Sequence, residues 1–567
     1  MNWLDYVVLI GTILGIAGYG IWQTRFRTNL HDYLKGSGHT PWFVIGISVM
    51  ATQASAITFL STPGQGFMGG LSFLQVYFGV PLALIIIAVF FLPMYQKLDV
   101  YTAYEYLEKR FDGKTRSLGA ALFLLQRGLG AGLTVYAPAI VMTTVFGWPL
   151  NATIISAGLL VILYTVIGGS DAVTVTQKYQ MAIIFAGMLT ATALLISKLP
   201  PHLHPGDAIK LAGSFHKMNA VDFSPSLNQR YTFWSGLLGG TFLMLSYFGT
   251  DQSQVQRYIS GSSLRESRLG LLFNAVLKIP MQFSILLLGV LMFIFYQFQS
   301  PPLFFDAASR HYLESHQSDP KLAGYTSDFN NAQTEIHKYL NNWLDSRHRG
   351  DRVSANSAFV AASLEEQKAE QIRIAASKEL TARNPEAKAN DADYVFITFI
   401  LQELPHGVIG LLVAAFFAAT LSSKAAELNA LGTSTTIDFY RRLIKKGACD
   451  AECLTATKWF TAMWGAVAIT FALCAHLAEN LIQAVNILGS IFYGVMLGLF
   501  LVAFFIRRVE GNAIFWGALI AQLLVFVLYF TLSISYLWYP LIGCAACILL
   551  SLIIQALGGK HSRLLEG

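Results

Sequence analysis

Long apolar runs, broken by short polar and charged loops, dominate the chain from its first residues to its last. They predict thirteen helical spans, at about 4–23, 41–64, 71–95, 117–145, 149–167, 174–197, 231–250, 268–296, 407–431, 457–476, 481–505, 513–532 and 535–557. A bilayer core about 30 Å thick needs roughly 20 apolar residues in a helix, so these runs describe an all-α integral membrane protein. Two of the spans are interrupted. In the second, Thr52, Gln53, Ser55 and Thr58 fall mid-span, with Pro63 and Gly64 near its end. In the seventh, paired glycines and Tyr247 lead into Gly249, Thr250, Asp251 and Gln252. Spans two to six and seven to eleven form two five-helix halves, each beginning with a broken helix, the arrangement of inverted-repeat transporters whose sites lie where the breaks face each other.

Composition sharpens this picture. Charged residues make up 13% of the 567 positions and apolar ones 54%, whereas soluble proteins carry nearer a quarter charged. Residues 301–393 hold 14 acids and 11 bases, leaving 47 charges for the rest of the chain. The predicted organisation is therefore a first span and loop (1–40), a first repeat (41–197), a loop (198–230), a second repeat (231–506) interrupted by a hydrophilic insertion (298–393), and two final spans with a short tail (507–567). Short exposed helices are expected in the insertion, including one over Leu364–Leu380, and Tyr394–Pro405 is expected to lie at the membrane interface. Cations such as Arg25, Arg27, Lys35, Lys97, Lys109, Arg110, Arg257, Arg265, Arg441, Arg442, Arg507 and Arg508 all fall on one side. That side is expected to be cytoplasmic, with the N-terminus and the insertion outside, in a plasma or bacterial inner membrane. The net charge of +6 is thus topology and not a nucleic-acid footprint. Cations follow the first run rather than precede it, so that run reads as a retained span. The five cysteines suggest reduced thiols.

Chemistry concentrates in 407–442, GVIGLLVAAFFAATLSSKAAELNALGTSTTIDFYRR, where Ala415, Ala419, Ser422, Ser423 and Ala426 share one small, oxygen-bearing helix face. Such a face suits either close helix packing or an ion. With FLPMYQKLDVYTAYEYLEKRF (91–111), YTVIGGSDAVTVTQ (164–177) and GTDQSQVQRYIS (249–260), it resembles the sodium:solute symporter family, which includes sodium–glucose, sodium–proline and sialic acid cotransporters. The resemblance covers about 4–532 without the insertion, and it implies a LeuT-type 5+5 inverted repeat with Na+ as the co-transported ion. Carried over by position, the sodium ligands are the carbonyls of Ala51, Ala54 and Ala419 and the hydroxyls of Ser422 and Ser423. The threonine–aspartate pair found in several relatives reads Thr176–Gln177 here, so one sodium per cycle is expected.

For the solute, the resemblance points to Tyr247, Lys278 and Gln483 as sugar-type positions, with Gln53 and Thr58 on the broken helix. The acidic residue of sugar carriers is missing; Gln75 and Tyr77 stand there. The expected activity is sodium-coupled import of a small polar solute, a sugar or polyol first. The alternative is an organic acid anion, because Arg127 and Lys278 lie inside spans while Asp251 and Glu427 sit toward their cytoplasmic ends, leaving few acids to pair with the two cations. A transporter-like sensor is a further reading. All twelve histidines lie in loops, in the insertion or at span ends, the GGSD sequence at 168–171 reads as a turn, and no phosphate-binding GxxxxGK[ST] loop occurs. These features argue against a proton relay, ATP-driven transport and an enzyme. The bilayer and a small solute are the only partners inferred; no nucleic acid and no obligatory protein partner is expected.

Overall fold

The computed structural model describes residues 1–24, 41–98, 102–259, 261–316, 318–384, 390–474 and 480–565, and all their side chains except those of 16–17, 19–24, 98, 168–176, 422 and 559–565. The cations expected at positions 25, 27 and 35 lie outside the described residues. The described chain is helical without strands. Nine of its helical stretches are long and apolar enough to cross a membrane, and Trp3–Gly15 and Trp42–Gln53 are shorter apolar helices.

Helix α1 (Trp3–Thr24) precedes the first interrupted span, which is α2 (Trp42–Gln53) and α3 (Ala56–Gly69). At the break Ala54 has φ −84° and ψ 68°, and Ser55 is extended. A 3-10 segment Gly70–Tyr77 leads into α4 (Val80–Ile86), a π turn Ile87–Phe91 and α5 (Leu92–Leu98); α6 (Glu105–Arg110) and α7 (Gly113–Phe146) follow. Spans expected at 149–167 and 174–197 are present as Leu150–Ile167 and Gln177–Ser197. The backbone joining them stays helical throughout α8 (Leu150–Ser197), where a turn at 168–171 was expected. Glycine in a helix costs only about 1 kcal/mol and no proline breaks the ladder there, so the glycine pair does not end the helix.

After α9 (Pro205–Ser214), the second interrupted span is α10 (Gly240–Thr250) and α11 (Gln252–Ile259), joined by Asp251 at φ −78°, ψ 118°. The Asp251 carboxylate accepts from the Ser253 amide (2.9 Å) and hydroxyl (2.6 Å). A short acidic side chain that caps the next turn explains why the helix restarts there. Helix α12 (Leu264–Phe298) then returns across the bundle and packs on α2 and α3.

The insertion departs from the expected short helices. After α13 (Ala307–Ser315) it forms a hairpin of α14 (Pro320–His348) and α15 (Arg352–Arg383) packed along each other. Buried residues recur every seven positions on both: Leu322, Phe329, Ile336 and Trp343, against Ala355, Ala362, Ala369 and Ala376. Large side chains on one helix meet alanines on the other, the fit of a coiled-coil seam. Helix α16 (Ala392–Glu403) holds Tyr394–Ile400 buried within the bundle. Its sequence is apolar on all sides, and Gly64 of α3 lets the backbones meet, since a Cβ there would stand 1.8 Å from the Ala392 carbonyl oxygen. Helices α17 (Val408–Ser434), α18 (Asp450–Cys474), α19 (Leu481–Phe505), α20 (Gly511–Thr531) and α21 (Trp538–Leu565) complete the chain.

Candidate functional site

The two breaks lie beside a common cavity of about 80 Å³. Its walls are Gln53, Ser55 and Thr58 from the first break, Tyr77, Arg127 of α7, Tyr247 of α10, Lys278 of α12, Glu427 of α17, and Asn486 and Tyr493 of α19. Of the seven solute positions expected from sequence, the structure brings five together here: Gln53, Thr58, Tyr77, Tyr247 and Lys278. Gln75 is turned to other work. Its amide donates to the carbonyls of Ser72 and Tyr231 and accepts from the Asp222 amide, tying the loop before α10 to the 3-10 segment. Gln483 donates to the Tyr231 hydroxyl and accepts from Arg230; its neighbours Ile482, Val485 and Asn486 face the cavity instead. Asn486 was missed because nothing near it in sequence marks it off from a helix-interior polar residue.

Charge in the bundle is arranged differently from expectation. Arg127 is not unpartnered: its guanidinium lies 3.3 Å from Asp251 and 3.7 Å from Glu427, donates to Ser253 Oγ (2.6 Å), and covers the Tyr247 ring at 5.3 Å. Lys424, which the sequence reading passed over, pairs with Glu427 one turn away. Tyr493 donates to Asp251 at 2.9 Å. Two cations and two carboxylates, all buried, therefore compensate one another across α7, the second break and α17, as charges in a low-dielectric interior must. Lys278 is different. It is 1% exposed, faces the cavity, and has no carboxylate within salt-bridge reach among the described residues; its Nζ stands 5.1 Å from the Tyr77 ring centre.

For the expected sodium positions, Ala51 and Ala54 flank the first break, and Ala419 and Ser423 lie on α17, which packs on both α2 and α3. All four are buried. A helix end leaves its last carbonyls without intrahelical partners, which frees those near Ala54 for a ligand. Among the described residues the Ser423 hydroxyl makes one long bond, 3.4 Å, to the Thr420 carbonyl. The side chain of Ser422 lies outside the described residues. A hard monovalent cation takes such carbonyl and hydroxyl oxygens without needing a carboxylate. Next to the break, Gln177 accepts from Ser48 Oγ (2.7 Å) and donates to Thr52 Oγ1 (3.3 Å), so a neutral amide ties α8 to α2; the side chain of Thr176 lies outside the described residues.

Comparison with known proteins bears on this geometry. A family model described as the sodium:solute symporter family matches residues 33–323 and 372–521. The human sodium/iodide cotransporter is 25% identical over 517 residues, covering 90% of this chain and 67% of that protein. Mouse sodium-coupled monocarboxylate transporter 2 is 25% identical over 607 residues, covering 98% and 84%. The sodium/sialic acid symporter SiaT of Proteus mirabilis is 22% identical over 563 residues, covering 98% and 95%. Among solved structures, a substrate-bound, outward-open sodium-coupled sialic acid symporter superposes with a TM-score of 0.75 at 21% identity over 98% of both chains, a likeness of fold.

Proposed function

The chain belongs to the sodium:solute symporter family, and from that premise we propose that this sodium-coupled symporter imports a small organic acid anion, held at the central cavity by Lys278. The observation that carries the reading is Lys278 itself. A buried ammonium without a carboxylate is costly, and the bundle's other cavity-lining cation, Arg127, is already paired. An anionic solute would supply the missing charge. Cavity size supports the same choice: each water needs about 10–15 Å³ by this measure, so 80 Å³ suits a solute of roughly six heavy atoms better than a hexose. The relatives' named cargoes, iodide, monocarboxylates and sialic acid, are anionic as well. These points favour the organic-anion alternative over the sugar or polyol placed first by the sequence.

In the proposed cycle one sodium binds the carbonyls of Ala51, Ala54 and Ala419 with the hydroxyls of Ser422 and Ser423, joining α2, α3 and α17. Because Ala51 and Ala54 flank the break whose Gln53 and Thr58 line the cavity, sodium orders the solute site, and the coupling is reciprocal. Gln53, Tyr247 and Asn486 orient the carboxylate's substituent while Lys278 holds the charge. One sodium with one monoanion moves no net charge, so the sodium gradient alone drives uptake and the membrane potential adds nothing.

The test is accumulation of labelled lactate, propionate, D-glucose and myo-inositol in proteoliposomes under an inward sodium gradient, with the potential varied independently. Lactate or propionate should accumulate, at a rate indifferent to potential. Sodium-driven accumulation of glucose or inositol in their place would overturn the anion assignment, and stimulation by a negative interior would overturn the one-sodium stoichiometry.

A further inference from the structure

A second cavity, of about 750 Å³, lies on the face of the bundle that carries the insertion. The hairpin α14–α15, the chain after α9, and the ends of α3 and α12 enclose it. Its size falls within the roughly 300–1,000 Å³ of small-molecule sites. The family match leaves out 324–371, most of this hairpin.

Several acids and bases of the hairpin pair: Lys321 with Glu379, Lys338 with Glu335, Lys368 with Glu365, and Arg383 with Asp319 and Glu379. Glu366 and Glu370, one turn apart on the cavity side of α15, have no cation within 4 Å among the described residues. The two cations of the lining, Lys217 and Arg373, equally have no carboxylate within 4 Å among the described residues. Lys217 donates to the Met68 carbonyl (2.6 Å) and lies 4.4 Å from the Phe293 ring. Arg373, which is buried, donates to the Pro302 carbonyl (3.0 Å) and leaves its Nε unbonded. Burial pushes the Lys217 amine down, although Glu366 and Glu370 act against it. It likewise pushes the Glu366 carboxyl up. Charge on Lys217 and on Glu366 is thus held at a cost that a ligand of opposite sign would relieve. Two further lining residues, Gln297 and Gln333, are buried to within 5% and carry side-chain oxygens without a hydrogen bond. Both are acceptors. Phe215 fills the space between, 5.4 Å from Phe293 and 5.0 Å from Phe359.

From this lining we propose that the hairpin cavity is a second ligand site, separate from the transport cavity, for a small zwitterion with an apolar or aromatic side chain, the chemistry of a free aromatic amino acid. Glu366, Glu370 and the amide oxygens of Gln297 and Gln333 take the ammonium; Lys217 and Arg373 take the carboxylate. A singly charged ligand answers only half of this lining. The ring faces accept the side chain, and they also favour a cation above them.

The decisive measurement is calorimetric titration of the purified full-length protein with L-phenylalanine, with phenethylamine, which lacks the carboxylate, and with 3-phenylpropanoate, which lacks the ammonium. Saturable binding of L-phenylalanine, at least tenfold tighter than either analogue, is expected. It should survive Lys278→Met and fall at least tenfold in Glu366→Gln/Glu370→Gln and in Lys217→Met, variants on two separate elements whose folding is checked by thermal unfolding. A fall in either folded variant supports the site. Absence of saturable binding, equal binding of one analogue, or loss on Lys278→Met with both cavity variants unaffected would overturn it. The last result would place the ligand in the transport cavity, whereas failure of anion transport would leave this site untouched.

Discussion

Lys278→Met separates stability from function in a way that tests the central assignment. The side chain is fully buried with no carboxylate in salt-bridge reach among the described residues, and a lysine at the bilayer centre costs about 2.5–3.5 kcal/mol on insertion scales. The Tyr77 ring 5.1 Å away returns about 0.5–2 kcal/mol, so the empty carrier holds the charge at a net cost of about 0.5–3 kcal/mol. Methionine keeps the length and removes the charge. The empty variant should therefore be more stable than the parent by that amount, while the anion loses a charge-assisted hydrogen bond worth about 1.5–3 kcal/mol, or about 12- to 150-fold in affinity. Lys278→Arg, which keeps the charge, should retain more of the affinity and none of the added stability. Thermal unfolding of the purified protein and the KM for sodium-driven lactate uptake read the two effects separately. A KM within twofold of the parent, or a less stable variant, would refute the view that Lys278 is an uncompensated charge awaiting an anion.

Three other perturbations follow from the same geometry. Ser423→Ala removes one proposed sodium oxygen and should raise the sodium concentration for half-maximal uptake about 5- to 150-fold, equivalent to about 1–3 kcal/mol; an unchanged sodium dependence would remove Ser423 from the site. Arg127→Met leaves Asp251 its bonds from Ser253 and Tyr493 and leaves Glu427 its partner Lys424, so it should destabilise by about 3 kcal/mol, the low end for a broken buried pair. Combining it with Glu427→Gln should be non-additive by about 0.5–3 kcal/mol in equilibrium unfolding. Gly64→Ala would drive a Cβ to 1.8 Å from the Ala392 carbonyl oxygen and should lower stability by at least about 1–3 kcal/mol as α3 and α16 separate, read as a fall in Tm.

Much of this architecture is legible along the chain because the bilayer imposes local rules. A span needs a continuous apolar run, and a break inside it needs residues that tolerate or cap an interruption. Ser55 and Asp251 mark both breaks correctly for that reason. The hairpin's seven-residue repeat of Ala355, Ala362, Ala369 and Ala376 was equally present in the sequence, but charge masked it, and a stretch read as solvated helices proved to have a seam of its own. The burial of Tyr394–Ile400 is hidden for another reason: it depends on the glycine opposite, Gly64, more than 300 positions earlier.

Pairing between distant elements is what the sequence by itself could not determine. It established a polytopic helical bundle with two interrupted spans, its sodium-coupled family and five of the residues that gather at the cavity, since each depends on local pattern or motif. Which intramembrane charges are compensated was decided only by tertiary structure. Asp251 and Glu427 lie 124 and 300 positions from Arg127, and an ion pair depends on separation in space, falling off over a few ångströms. Folding brings those carboxylates to Arg127 and, among the described residues, none to Lys278, and that difference turns two similar buried cations into a structural tie and a proposed anion site.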